Sequence, residues 1–126
     1  MQIIPRHVHG VLDYVVGLLL IFAPQLFGFD TGGVEQRISM VLGLAAFVYS
    51  LMTNYELGLF KILPFKFHLL LDVFNGVLLA LSPWLFAFSN EVWIPHVLLG
   101  SFEVLAVLLT KTSPADGLAG SPRGQA

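Results

Sequence analysis

Two stretches of the chain decide its fold: PRHVHGVLDYVVGLLLIFAPQLFGF at residues 5–29 and PFKFHLLLDVFNGVLLALSPWLFAF at residues 64–88. Shifted by 59 residues, they are identical at 11 of 25 positions and share the pattern P-x3-H-x3-D-x3-G-x6-P-x-L-F-x-F. Leucine and phenylalanine matches are common in apolar sequence, whereas matched histidine, aspartate, glycine and proline are not. The pattern therefore predicts an internal duplication, with repeat 1 at residues 5–54 and repeat 2 at residues 64–112.

The composition of the 126-residue chain excludes a water-soluble protein. Apolar residues make up 56% and charged residues 11%, against about 45–50% and about 25% in soluble domains. Six basic and eight acidic side chains cannot cover the surface of so small a protein. The chain is also too apolar to be intrinsically disordered. With a net charge of −2 and six basic residues it has no basic patch of the kind that binds nucleic acid.

Four apolar segments approach the length of about 20 residues that a transmembrane helix needs. They lie at residues 8–29, 34–53, 67–88 and 93–110. Five basic residues fall on the side that holds both termini and the connector between the second and third spans: Arg6, Lys61, Lys66, Lys111 and Arg123. Arg37 alone falls on the other side, so the positive-inside rule places both termini in the cytoplasm.

The predicted fold is therefore an all-α integral membrane protein with four transmembrane helices. Each repeat contributes two helices, an even number, so the two copies share one orientation and form a parallel repeat. Residues 1–112 form this domain. The Gly-, Pro- and Ser-rich residues 113–126 are expected to be a disordered cytoplasmic tail.

Residues 82–84 read SPW near the outer end of the third span, and residues 23–25 read APQ at the same place in the first. This element resembles the SPW repeat family of small bacterial membrane proteins, over about residues 5 to 112. The resemblance implies a duplicated two-helix unit in the cytoplasmic membrane and no particular biochemical activity. Physically, Pro24 and Pro83 bend or end their helices, and Trp84 is an anchor at the outer interface.

Polar side chains recur along one stripe of the first and third spans. His9, Asp13 and Gly17 are four residues apart, and the same spacing recurs in the third span at His68, Asp72 and Gly76. Such spacing places each set on one helix face, and glycine favours a helix–helix contact over a lipid contact. Glu103 of the fourth span lies at a similar depth, so we expect one polar cluster in the cytoplasmic half.

The cluster has several interpretations, because ionisable groups inside a membrane cost at least ~2.5–3.5 kcal/mol each and are commonly functional. The first is polar packing within a non-catalytic membrane module or subunit. The second is a site for Zn²⁺ or another divalent first-row metal, with His9, Asp13, His68, Asp72 and Glu103 as candidate ligands. If a metal binds there, Glu103 is either a ligand or the base of a metal-dependent enzyme that acts at the inner leaflet on a lipid-soluble substrate.

Two further interpretations remain open. His–Asp relays handle protons or small ions in some membrane proteins, and haem held between His9 and His68 is the least favoured because the nearby carboxylates crowd a porphyrin. No phosphate-binding loop or nucleophile elbow is present in the sequence, so a non-enzymatic module is favoured. Expected partners are the lipid bilayer and either a second copy or another membrane protein. Residues 54–56 cap the second helix and are interpreted as a solvated helix end, with closure of the pocket from the cytoplasm as the less favoured alternative.

Overall fold

The computed structural model describes residues 2–112, and over these residues it contains four α-helices and no strand. The helices are α1 (Arg6–Phe27), α2 (Val34–Leu51), α3 (Phe65–Leu85) and α4 (Ile94–Leu109). The all-helical fold predicted from the apolar segments is confirmed, and each helix end lies within three residues of the expected one. The tail expected at residues 113–126 lies outside the described residues.

Three of the helices are long and apolar enough to cross a membrane, with 22 residues in α1, 18 in α2 and 21 in α3. The fourth, α4, is equally apolar but has 16 residues. Large hydrophobic side chains point outward along all four helices, as at Phe22, Val41, Phe74 and Leu98. An apolar outer surface of this extent suits contact with lipid, and these findings support a membrane location.

Helices α1 and α3 end in the same way. Pro24 and Pro83 are buried within the last turns, and the amide five residues after each proline donates to its carbonyl at 2.8 Å. The residue that turns the chain has a left-handed backbone in both cases, with φ of 76° at Gly28 and 60° at Ala87. The prolines therefore lie inside the helices, and the left-handed residues end them.

Glycines set how closely the helices approach within each half of the chain. Where α1 crosses α2, a Cβ atom on Gly43 would lie 2.8 Å from the carbonyl oxygen of Gly17. Where α3 crosses α4, a Cβ atom on Gly100 would lie 2.5 Å from the carbonyl oxygen of Gly76. Neither crossing leaves room for a side chain, so each half is a tightly packed helix pair.

Short main-chain pairings connect the segments that precede α1 and α3 to the helix ends beside them. Ile4 pairs in parallel with Thr110, and Leu63 pairs in parallel with Thr53. The first pairing joins the chain's beginning to the end of α4, and the second joins the connector to the end of α2. Because α2 also packs on α3 and α4 on α1, each of the four helices contacts two others.

Candidate metal centre

Four ionisable side chains meet where the four helices face one another. His9 and Asp13 come from α1, and His68 and Asp72 come from α3; one ligand atom of each lies within 4.8 Å of the other three. Both histidines and Asp72 are buried, and the Asp13 side chain is 9% exposed. The two polar stripes of the sequence thus form one group of side chains, hereafter the His–Asp ring.

The shortest contacts in the His–Asp ring cross between the two halves of the chain. His9 Nε2 lies 2.8 Å from Asp72 Oδ2 and 3.1 Å from Asp13 Oδ1. His68 Nε2 lies 2.8 Å from Asp13 Oδ2 and 3.1 Å from Asp72 Oδ2. Each imidazole therefore contacts both carboxylates, and its partner on the other helix is closer than the one a turn away on its own helix.

A threonine hydroxyl holds the second nitrogen of each imidazole. His9 Nδ1 lies 2.8 Å from Thr110 Oγ1, and His68 Nδ1 lies 2.7 Å from Thr53 Oγ1. Both hydroxyls donate to the main-chain carbonyl four residues earlier, at 2.5 Å for Thr110 and 2.6 Å for Thr53. Because each hydroxyl proton is already used, the oxygen accepts from the imidazole, so both Nδ1 atoms carry hydrogen.

This arrangement requires a proton or a metal cation between each Nε2 and the carboxylates. A neutral imidazole with hydrogen on Nδ1 has a lone pair on Nε2, which would face the lone pairs of the carboxylate oxygens. The contact is favourable when each Nε2 carries a proton or when both bind one cation. Two imidazolium groups and two carboxylates have no net charge. A divalent cation bound by two neutral histidines and the same two carboxylates has no net charge either. Both states suit a poorly solvated interior.

Tyrosine hydroxyls bind the two carboxylates from outside the His–Asp ring. Tyr49 donates to Asp72 Oδ1 at 2.5 Å, and Tyr55 donates to Asp13 Oδ2 at 3.0 Å. Burial raises the pKa of the Tyr55 hydroxyl, which keeps it protonated as a donor. The interpretation of residues 54–56 as a solvated helix end is wrong for Tyr55, which is 2% exposed. Sequence reasoning missed it because the contact spans 42 residues.

Glu103, expected within the cluster, lies beside the His–Asp ring and not in it. It is 8% exposed and lines one small cavity together with His9, Asp13 and Asp72. Its Oε1 atom has no hydrogen-bond partner among the residues that the structure describes. A carboxylate at this place can accept a hydrogen bond from something held in the cavity.

The opposite end of the helices carries aromatic side chains. His96 is buried there, with its ring centre 4.9 Å from both Phe29 and Phe88, and its Nε2 donates to a main-chain carbonyl at 3.0 Å. Trp84 of the SPW element is 56% exposed, and its ring lies 6.3 Å from that of Trp93. These residues are remote from the His–Asp ring in the fold, and exposed tryptophans suit a membrane interface.

The part of the chain that matches a known family coincides with the four helices. The family model of the SPW repeat domain matches residues 7–110, which include the whole His–Asp ring and both threonines that orient it. No match to the chain is found among the curated proteins or the solved structures. Since the model covers most of its length, the chain belongs to the SPW repeat family.

Proposed function

We propose that the chain is a multi-pass protein of the bacterial cytoplasmic membrane, with residues 1–112 as one domain of four transmembrane helices. Repeat 1 (5–54) and repeat 2 (64–112) are parallel copies of a two-helix unit, related by a two-fold axis along the membrane normal. The matched helix ends and glycine crossings support this. Arg6, Lys61, Lys66 and Lys111 lie at the end of the helices near the His–Asp ring, which favours a cytoplasmic location for that end.

Reporter fusions test this topology. Fusions after Lys111 and within residues 54–66 are expected to report the cytoplasm, and fusions at Thr31 or Asn90 the outside. A cytoplasmic signal from the Thr31 fusion contradicts the four-span topology.

We further propose that the protein binds one divalent first-row transition metal ion at the His–Asp ring. The observation that carries this is the orientation of the two imidazoles, whose Nε2 atoms both face the two carboxylates while a threonine holds each Nδ1. Ligating histidines typically donate their other N–H to an oxygen, and ligating carboxylates are themselves hydrogen-bonded. Tyr49 and Tyr55 supply those bonds to the carboxylates.

The dimensions of the His–Asp ring fit this proposal with a small expansion. Tetrahedral Zn²⁺ with bonds of about 2.0–2.1 Å places neighbouring ligand atoms about 3.3 Å apart. The four histidine–carboxylate contacts measure 2.8 to 3.1 Å, so an ion enters if the atoms separate by roughly half an ångström or less. Two nitrogen and two carboxylate ligands suit zinc, iron or manganese.

A second candidate function is a charge-paired clamp within a non-catalytic membrane module or subunit. The contact distances favour it. Every imidazole nitrogen and every carboxylate oxygen of the ring already lies at hydrogen-bond distance from a partner. In this state both imidazoles are protonated and the two ion pairs fix how the halves pack. The role of such a protein is then to associate with a second copy or with another membrane protein.

Metal analysis of protein extracted gently in detergent separates the two functions. We expect about one equivalent of a transition metal in the native chain, and none after Asp13→Asn is combined with Asp72→Asn. The amides keep the size of the side chains and lose the charge, so the helices remain folded while the metal is lost. Asp30→Asn, at an exposed carboxylate outside the ring, is the matched control. Protein that is metal-free and takes up none at about pH 8, above the usual titration range of histidine, supports the clamp.

A further inference from the structure

The two sides of the His–Asp ring differ, although the ring itself has matched contacts. On the side between α2 and α3, Tyr49 covers Asp72, and Asn75 donates to a main-chain carbonyl of α2 at 3.1 Å. On the side between α1 and α4, the positions that correspond to these two residues are Ala106 and Val16. Neither side chain has a polar atom or reaches as far as a tyrosine.

The shorter side chains leave space. A cavity of about 10 Å³ lies here, lined by Val16, Ala106 and Glu103, by three members of the His–Asp ring and also by Ala46 of α2. This volume is at the lower limit for one buried water molecule. Ala46 is the residue of the first half that corresponds to Glu103, three positions after Gly43, so Glu103 is the one carboxylate of this cavity outside the His–Asp ring.

The unpartnered atom identifies what the cavity can hold. Glu103 Oε1 is buried with no donor among residues 2–112, and leaving a buried acceptor without a partner is unfavourable. A water molecule between Glu103 and the ring would supply the donor. The same molecule would lie next to any metal bound by the ring, since His9, Asp13 and Asp72 line the cavity.

We propose that this cavity is the open coordination position of the centre, where the metal binds a small oxygen ligand, water or hydroxide. Glu103 accepts its hydrogen bond. The inference rests on the metal binding proposed above and adds to it a fifth, non-protein ligand and its orientation. Zinc and other first-row ions accept five ligands, and an exchangeable water distinguishes a reactive metal centre from a purely structural one.

Manganese-loaded protein in deuterated water tests the proposal. Electron–nuclear double resonance is expected to detect deuterons of one coordinated D₂O in the native chain. Ala106→Val adds two methyl groups beside the cavity, so we expect Mn²⁺ binding to remain and the D₂O signal to disappear. Absence of a coordinated D₂O signal in the loaded native protein overturns the proposal. A chain that takes up no metal overturns both this inference and the metal-binding function.

Glu103→Gln provides a second, smaller change. Fluoride is close to water in size and replaces it on Mn²⁺, but it has no hydrogen to donate to Glu103. The amide of the variant has an N–H group that donates to fluoride, so the half-saturating fluoride concentration is expected to fall by about 10-fold, while metal content stays the same. Glu91→Gln, at an exposed carboxylate outside the cavity, is the control and changes neither. If Glu103→Gln loses the metal, Glu103 is a ligand; that result, or an unchanged fluoride affinity, overturns the proposal.

Discussion

Replacing Thr110 or Thr53 with valine tests the argument about the imidazoles directly. Valine keeps the shape of threonine and lacks its hydroxyl, and both threonines are fully buried. In Thr110→Val, His9 Nδ1–H loses the acceptor that it has in the structure, and the carbonyl of Ala106 loses the hydroxyl that donates to it at 2.5 Å. The hydroxyl of Thr53 makes the equivalent two contacts with His68 and with a carbonyl of α2.

The magnitude follows from these lost contacts. A buried donor left without an acceptor costs about 1–3 kcal/mol, so each substitution should lower the free energy of unfolding by about that amount. Loss of the hydrogen bond that orients a ligating histidine also weakens metal binding by roughly 10–100-fold. Because Thr53 and Thr110 hold different imidazoles, each variant should weaken binding by a similar factor.

Two measurements follow each variant: denaturant unfolding in detergent, and competition for the metal against a coloured chelator. The serine variants of both threonines keep the hydroxyl and should retain most of the metal affinity. Ser101→Ala, at an exposed hydroxyl of α4 away from the ring, controls for the loss of a hydroxyl. If the valine variants unfold and bind metal like the native chain, the threonines do not set the tautomer, and the argument that each Nε2 requires a proton or a metal cation fails.

Three further predictions concern the His–Asp ring, the crossing of α3 and α4, and the end of α3. His9→Ala and His68→Ala should be non-additive in unfolding free energy by ~0.5–3 kcal/mol, because both imidazoles contact the same two carboxylates; strict additivity contradicts a shared ring. Gly100→Ala should destabilise by about 1–3 kcal/mol in the same unfolding assay, since its Cβ would meet α3 backbone atoms at 2.5 and 2.6 Å. Ala87→Gly should stabilise by about 1 kcal/mol because φ is 60° there, whereas Ala45→Gly, exposed within α2, should destabilise by about 0.5–1 kcal/mol.

The helices and their inward faces could be predicted because they depend on spacing along one segment. A histidine, an aspartate and a glycine four residues apart must share a helix face, so the sequence alone predicts the stripes at His9 and His68. The same spacing suggests that each histidine pairs with the aspartate of its own helix. The shorter contacts instead reach the other helix, because the packing of α1 against α3, and not the sequence interval, sets those distances.

The supporting residues of the site could not be assigned in the same way. Thr53 and Thr110 were recognisable as polar residues near helix ends, but their positions beside the imidazoles follow from main-chain pairings with Leu63 and Ile4. Such isolated pairings have no periodic pattern in the sequence. Tyr55 lies in a connector, where the hydropathy pattern indicates the level of the membrane interface and does not indicate which side chain turns inward.

The exchange of contacts between the halves has a consequence for how such a protein arises. Thr53 of the first half holds His68 of the second, and Thr110 of the second holds His9 of the first. A lone two-helix unit therefore cannot assemble the centre, although two identical units could. Identical units must place the same residue on both sides, whereas a fused gene allows the sides to diverge. Tyr49 and Ala106 differ in this way, so one face of the His–Asp ring carries a tyrosine and the corresponding position on the other face carries a small side chain.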